Sequence, residues 1–306
     1  KEYPHNIAIN NLDLIQFPYL QDIQLSIKRE DQIHPFLSGN KYRKLKYNLI
    51  EAKKLQLDTL LTFGGAFSNH IAATAAAGKE YNYKTIGVIR GEELKDKVNE
   101  NPTLAFAKAH GMHLDFISRS QYNQKENQSF LNKLKNEIGD FYLVPEGGTN
   151  VLAIKGCEEI LTNDDAVFDY ICVPVGTGGT MAGLINTSLP HQKILGFSAL
   201  KGDFLNHSVK QFTSKSNWEI TDRFSFGGYA KVDRSLINFI NDFKSKFKIP
   251  LDPVYTGKML FGIFELAKTG FFPKNSRILA IHTGGLQGIH GMNLQLKKRK
   301  LPLIEL

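Results

Sequence analysis

The chain has 306 residues, of which 42% are hydrophobic and 22% charged, with a net charge of +8 and an isoelectric point of about 9.2. This is a globular composition, long enough for one large domain or two ordinary ones, and no run approaches the roughly 18 apolar residues that span a bilayer. Basic residues are scattered, and the one cluster, Lys297-Lys298-Arg299-Lys300, reads as a solvated helix end; no nucleic-acid or membrane partner is expected, and the charge suits small anionic substrates.

Two cysteines, Cys157 and Cys172, make neither a disulfide framework nor a zinc site, so no metal is expected. The opening Lys1-Glu2-Tyr3-Pro4-His5 has no apolar core of a signal peptide, and a cytoplasmic protein is expected. It also lacks an initiator methionine, so a leading segment is expected before it.

In chain order, the first informative stretch is Ser38-Gly39-Asn40-Lys41-Tyr42-Arg43-Lys44-Leu45. A turn delivers Lys41 to the mouth of a helix, against the positive end of the helix dipole. That placement lowers an amine's pKa and suits a nucleophile or a Schiff base, although most such lysines are simply solvated. Apolar runs predict buried strands over 58–63, 84–90, 112–117, 141–144, 168–175, 194–198 and 277–282. Helical patterns fall between them at 44–55, 68–80, 102–110, 127–138, 180–187, 235–247 and 258–269. Continuous apolar strands separated by helices predict an α/β fold with mainly parallel sheets covered on both faces. A hinge-like stretch, Pro145-Glu146-Gly147-Gly148-Thr149-Asn150, suggests two units. Residues 1–47 and 147–306 would form the larger, and 48–146 a small inserted α/β domain. The polar loop 201–226 is long enough for a lid or site wall.

Two segments carry site chemistry. Phe63-Gly64-Gly65-Ala66-Phe67-Ser68-Asn69-His70 ends a strand and opens an alanine-rich helix. Ser68 or Asn69 suits an N-cap, and the free amides of the helix start could hold a carboxylate, with His70 as a titratable neighbour. Later, Tyr170-Ile171-Cys172-Val173-Pro174-Val175 runs into Gly176-Thr177-Gly178-Gly179-Thr180 and then a helix. Strand, glycine turn and helix start together make an anion site. A dinucleotide loop wants G-x-G-x-x-G and an acid about 20 positions on. Here Met181 holds the sixth place and no acid ends the next strand. A Walker loop is absent too, so the loop suits a lone terminal phosphate such as that of pyridoxal 5′-phosphate (PLP).

Five motifs then occur in order: Asn40-Lys41-x-Arg43-Lys44-Leu45, Gly65-x-x-Ser68-Asn69-His70, Val175 through Thr180, Asp252-Pro253-Val254-Tyr255-Thr256-Gly257-Lys258, and His282-Thr283-Gly284-Gly285. Together, over residues 34–292, they resemble the 1-aminocyclopropane-1-carboxylate (ACC) deaminase / D-cysteine desulfhydrase family of fold-type II, tryptophan-synthase-β-like PLP enzymes. The resemblance implies two open, twisted, mainly parallel sheets flanked by helices, a small amino-acid substrate and a homodimer. It implies that Lys41 carries the cofactor and moves the Cα proton, and that Asn69 bonds the 3′-oxygen. The loop of Gly176, Thr177, Gly178, Gly179 and Thr180 would hold the phosphate. Ser68, with Asn69 and His70, would meet the substrate. Tyr255, and Tyr229 in Phe226-Gly227-Gly228-Tyr229, match two active-site tyrosines, and Thr283 or Thr256 would face the pyridine nitrogen.

ACC deaminases resemble Asp-Pro-Val-Tyr-Glu-Gly and His-Leu-Gly-Gly, with Gln after Ser-Asn. Thr256, Thr283 and His70 stand at those places, which is the desulfhydrase-like pattern. The expected reaction is therefore β-elimination from a D-cysteine-like amino acid to pyruvate, ammonia and sulfide. ACC deamination to 2-oxobutyrate is the alternative. Two departures, Ala72 where the family often has Arg and Lys46 where Glu is common, bear on substrate identity. Ala72 is the one feature that would fit a homologue that binds PLP without turnover.

Overall fold

The computed structural model describes residues 7–37 and 39–306. Ser38, the first residue of the lysine motif, and the opening Lys1-Glu2-Tyr3-Pro4-His5 lie outside the described residues. Among those described there are ten strands: β1 (Ile9–Asn11), β2 (Gln24–Lys28), β3 (Thr59–Gly64), β4 (Lys84–Arg90), β5 (His113–Ile117), β6 (Tyr142–Leu143), β7 (Tyr170–Val175), β8 (Lys193–Ser198), β9 (Trp218–Thr221) and β10 (Arg277–Ile281). They form two sheets, in the orders β1-β2-β10-β7-β8-β9 and β5-β4-β3-β6. Every pairing is parallel except β1 with β2. This is the expected α/β architecture.

The runs that read as buried strands are buried because helices cover both faces. One side of the larger sheet packs Ile278, Ala280, Leu195 and Phe197 against the Arg234–Phe247 and Thr256–Lys268 helices. The other side packs Ile171, Val173, Val175, Leu279 and Ile281 around the Gly179–Thr187 helix. The smaller sheet has Phe63, Val88 and Tyr122 on one face and Ile71, Ile89 and Leu104 on the other. No helix among the described residues is long and apolar enough to cross a membrane.

Three elements differ from the expectation. Strand β2 was hidden by Ser26 and Lys28, polar residues in an otherwise apolar run; Lys28 is buried because its amine meets Asp165 at 2.5 Å. The 201–226 stretch is not a bare loop. It contains the Phe204–Lys210 helix and β9, which extends the larger sheet alongside β8. The 145–150 stretch is not a bare hinge either: it turns through Gly147 (φ 69°) and Gly148 (φ 78°) and its backbone enters the site. The Asn40–Lys54 helix runs unbroken through position 47 and packs on the Val151–Cys157 helix so closely that a Cβ on Gly156 would lie 1.8 Å from the Arg43 carbonyl oxygen.

Candidate active site

The C-terminal ends of β3, β7 and β10 converge on one cleft, the usual site in parallel α/β sheets. It encloses about 640 Å³ with its open mouth included. Its wall includes Lys41, Asn69, Gly176, Thr177, Gly178, Thr180, Tyr255 and Thr283. Residues more than 240 positions apart in sequence thus share one cavity.

Lys41 is the second residue of its helix, and Gly39 sets its approach. Gly39 has φ 62°, and a Cβ there would lie 1.8 Å from the Thr283 carbonyl oxygen, so only glycine fits. Glu30 anchors this segment twice. Its carbonyl accepts from Gly39 N (3.0 Å), and its carboxylate accepts two bonds from the Arg43 guanidinium (3.0 Å each). Lys41 Nζ donates to the Gly147 carbonyl at 3.2 Å. Lys44, one turn on, donates to that same carbonyl (3.0 Å), to Thr149 Oγ1 (3.1 Å) and to Thr177 Oγ1 (3.3 Å). Burial, and then the neighbouring Lys44 charge, holds the Lys41 amine well below the usual lysine range; burial also lowers Lys44. Desolvation and a second lysine thus lower this amine beyond its place at a helix start.

The glycine loop is a cradle that side chains would fill. A Cβ on Gly176 would come 3.1 Å from the Tyr255 hydroxyl, one on Gly178 2.8 Å from Val209, and one on Gly179 2.7 Å from Thr149 Oγ1. The loop opens the Gly179–Thr187 helix, whose first amides have no partner within the helix. Lys44 supplies a cation beside it, and Thr149 and Thr177 share a hydroxyl–hydroxyl contact at its edge. Thr180 accepts from Asn40 Nδ2 at 2.8 Å. Amides, a cation and an adjacent amine are the donor set that a phosphate-bearing aldehyde requires, so these residues fit PLP. Lys44, Asn40, Gly147 and Thr149 were missed in the sequence reading. Only the spacing of Lys44 three positions after Lys41 offered a signal, since such pairs share a helix face.

The remaining residues divide. Asn69 lines the cleft and accepts from Gln287 Nε2 at 3.3 Å. Ser68 caps the Asn69–Tyr81 helix, its hydroxyl accepting from Ile71 N at 3.2 Å, and does not line the cleft. His70 lies behind the wall, 2% exposed. Thr62 donates to the Val144 carbonyl (2.8 Å) and so accepts from His70 Nε2 (2.7 Å). The His70 proton is therefore on Nε2, and Nδ1 is a buried acceptor without a hydrogen-bond partner. Burial, then Lys41 and Lys44, pushes the His70 pKa well below the ordinary range, and the ring is neutral.

Thr283 lines the cleft, but Thr256 does not. Thr256 is fully buried, and its hydroxyl donates to Asp252 Oδ1 at 2.6 Å and accepts from Asp252 N at 2.9 Å. Asp252 Oδ1 also accepts from Thr256 N (2.8 Å), and Oδ2 accepts from Val254 N (2.8 Å) and Tyr255 N (2.9 Å). This carboxylate organises the helix start that presents Tyr255. Burial, and then Tyr229, raises the Tyr255 phenol well above its usual value. Tyr229 is 43% exposed, its ring 6.3 Å from that of Tyr255, and it faces an adjoining chamber rather than the cleft. Lys258 holds the turn before it, donating to the carbonyls of Ser225 (2.8 Å) and Gly228 (3.0 Å). The departures are structural: Ala72 is buried in its helix, and Lys46 pairs with Glu159 at 2.8 Å. His282 bridges the Pro250 carbonyl and Gly284 N.

A lysine and a phosphate cradle at the strand ends of an α/β fold define a PLP enzyme. The sequence pattern of the pyridoxal-phosphate dependent enzyme family matches residues 7–284, and the chain belongs to that family. It is 31% identical over 296 residues to the bifunctional D-cysteine desulfhydrase/1-aminocyclopropane-1-carboxylate deaminase, mitochondrial, of Arabidopsis thaliana, with 87% of this chain and 73% of that protein covered. It is 26% identical over 300 residues to the D-cysteine desulfhydrase of Yersinia pseudotuberculosis, covering 89% of this chain and 90% of that one. A crystal structure described as an ACC deaminase homologue superposes with a TM-score of 0.81 at 28% identity, covering 97% of this chain and 95% of that chain.

Proposed function

We propose that the protein is a lyase that removes the β-substituent of a small amino acid resembling D-cysteine, giving pyruvate, ammonia and sulfide. The observation that carries this reading is the absence of Asp and Glu among the described residues lining the cleft, where Thr283 stands. Bound PLP would supply an aldehyde for the substrate amine and a ring that delocalises the electron pair left at Cα. Thr283 offers a hydroxyl, which does not hold a proton on a ring nitrogen as a carboxylate would. A thiolate leaves with its own electron pair, so its elimination asks less of the site than opening a cyclopropane.

Lys44 and the loop from Gly176 to Thr180 would hold the phosphate, and Asn69 would hold the 3′-oxygen. Lys41, its pKa lowered by burial and by Lys44, would take the Cα proton. Tyr255 retains its proton and lends it to the leaving sulfur, with Tyr229 beside it. The helix-start amides of Asn69 and His70 would meet the substrate carboxylate, while Ser68 caps that helix, its amide donating to the Gly65 carbonyl and its hydroxyl accepting from Ile71 N.

ACC deamination is the second reading, favoured by the 28% identity to the ACC deaminase homologue over nearly the whole of both chains. Measuring pyruvate and sulfide from D-cysteine beside 2-oxobutyrate from ACC decides between them. Release of 2-oxobutyrate alone overturns the first reading, and a yellow protein that releases ammonia from neither points to a homologue without turnover. The proposal extends to a cytoplasmic homodimer. It also divides the chain into 1–47 with 147–306 and an inserted 48–146, a division supported by the grouping of β3 to β6 in the smaller sheet.

A further inference from the structure

Beside the cleft lies a second chamber of about 530 Å³, its mouth included, and the two share Asn69, Tyr255 and Gly285 as a common wall. That wall is thinnest in side chains at position 285, where a Cβ would come 2.9 Å from Asn69 Nδ2 and 3.4 Å from Asp252 Cγ. Phe67, Val254 and Met292 give the chamber its apolar faces. Its one charged residue, Asp252, already accepts four hydrogen bonds from Val254, Tyr255 and Thr256. None of the described residues lining it is Lys, Arg or His, and the fixed Asp252 charge opposes a second anion. A group that enters from the Cβ side of a substrate in the cleft would therefore meet apolar surface and no free ionic partner.

We propose that this chamber is the subsite for the substrate's β-substituent and that it selects a neutral, apolar thioether, the S-alkyl- and S-aryl-cysteine class, over the bare thiol of cysteine. The inference rests on the elimination reading. In that reaction the Cα–H and Cβ–S bonds break and a Cα=Cβ bond forms. The sulfur leaves with the C–S electron pair and picks up a proton as a free thiol. One water then releases ammonia and leaves pyruvate, with no oxidant or reductant consumed.

The test is a series of cysteine, S-methyl-, S-ethyl-, S-propyl- and S-benzyl-cysteine, in both enantiomers, with the PLP-loaded enzyme. Two quantities are read: kcat/KM for pyruvate release, and the concentration that half-shifts the cofactor absorbance. Each methylene buried in the chamber is expected to raise kcat/KM about fourfold. Met292→Trp, which fills the chamber, should cut the S-benzyl-to-cysteine ratio of kcat/KM at least tenfold. Met292→Ala, which widens it, should raise that ratio, so the proposal stays testable if the tryptophan variant misfolds. Rates that fall with each added methylene in the wild type, or ratios that neither variant moves, overturn the chamber assignment while leaving the elimination reading intact. If no member of the series releases pyruvate and ACC releases 2-oxobutyrate, the elimination reading fails and the chamber assignment fails with it.

Discussion

Lys41 and Lys44 aim their amines at one acceptor, the Gly147 carbonyl, from 3.2 and 3.0 Å. Two ammonium groups on one oxygen repel each other, and burial raises the cost of charging both. The pair therefore favours losing a proton, and Lys41, lowered by burial and by the Lys44 charge together, is the amine better suited to act as a nucleophile.

Replacing Lys41 with Ala should abolish both turnover and the near-visible absorbance of the lysine-linked cofactor. A variant that keeps the absorbance and full activity would remove Lys41 from its role.

Lys44→Met should loosen the cofactor, because a charged donor to the phosphate cradle is lost. A hydrogen bond to a charged group contributes about 1.5–3 kcal/mol, so the PLP dissociation constant should rise about 10- to 150-fold. Removing the like charge should also move the Lys41 pKa upward, and the pH optimum of cofactor attachment with it. Titrating apo-enzyme with PLP at several pH values checks both effects.

The two threonines should separate cleanly. Thr283→Val removes a hydroxyl from the cleft, so the cofactor spectrum should shift and kcat fall about 2- to 12-fold, the worth of one neutral hydrogen bond. Thr256→Val instead leaves Asp252 Oδ1 short of a partner and should cost about 1–3 kcal/mol in denaturant unfolding, with the spectrum retained. The reverse pattern would exchange their assignments.

Tyr255→Phe should lower kcat/KM for elimination about 100-fold or more, as expected for loss of a positioned acid. Tyr229→Phe should cost less than about tenfold, since Tyr229 faces the adjoining chamber and does not line the cleft. Equal losses in both variants would mean that the proton comes from Tyr229.

His70 predicts acid lability. Its folded pKa lies below the unfolded value of about 6.5. As pH falls from there toward the folded pKa, the unfolded chain binds a proton that the buried ring does not, so unfolding is favoured. Denaturant midpoints should drop across this window, and His70→Gln should flatten the slope. A midpoint independent of pH between about 6.5 and 5 would mean that the ring is not held neutral.

Sequence alone carried the features built from neighbouring residues. Continuous apolar runs marked β7 and β10 because parallel strands are buried on both faces. Gly176 to Thr180 marked an anion loop because glycine backbone and helix amides act locally, and Lys41 stood out by its place at a helix start. What depended on distant partners was not legible. Lys44 and Thr177 are 133 positions apart, and Lys28 and Asp165 are 137 apart, so no local pattern announces either contact. Thr256 and Thr283 looked interchangeable because the resemblance offered either of two hydroxyls for one role. The tertiary structure places them differently: Asp252 folds back to take the Thr256 hydroxyl, while the end of β10 leaves Thr283 lining the cleft. Local periodicity and steric freedom are written into short segments. Which polar group remains free to do chemistry is decided only when the chain brings its competing partners together.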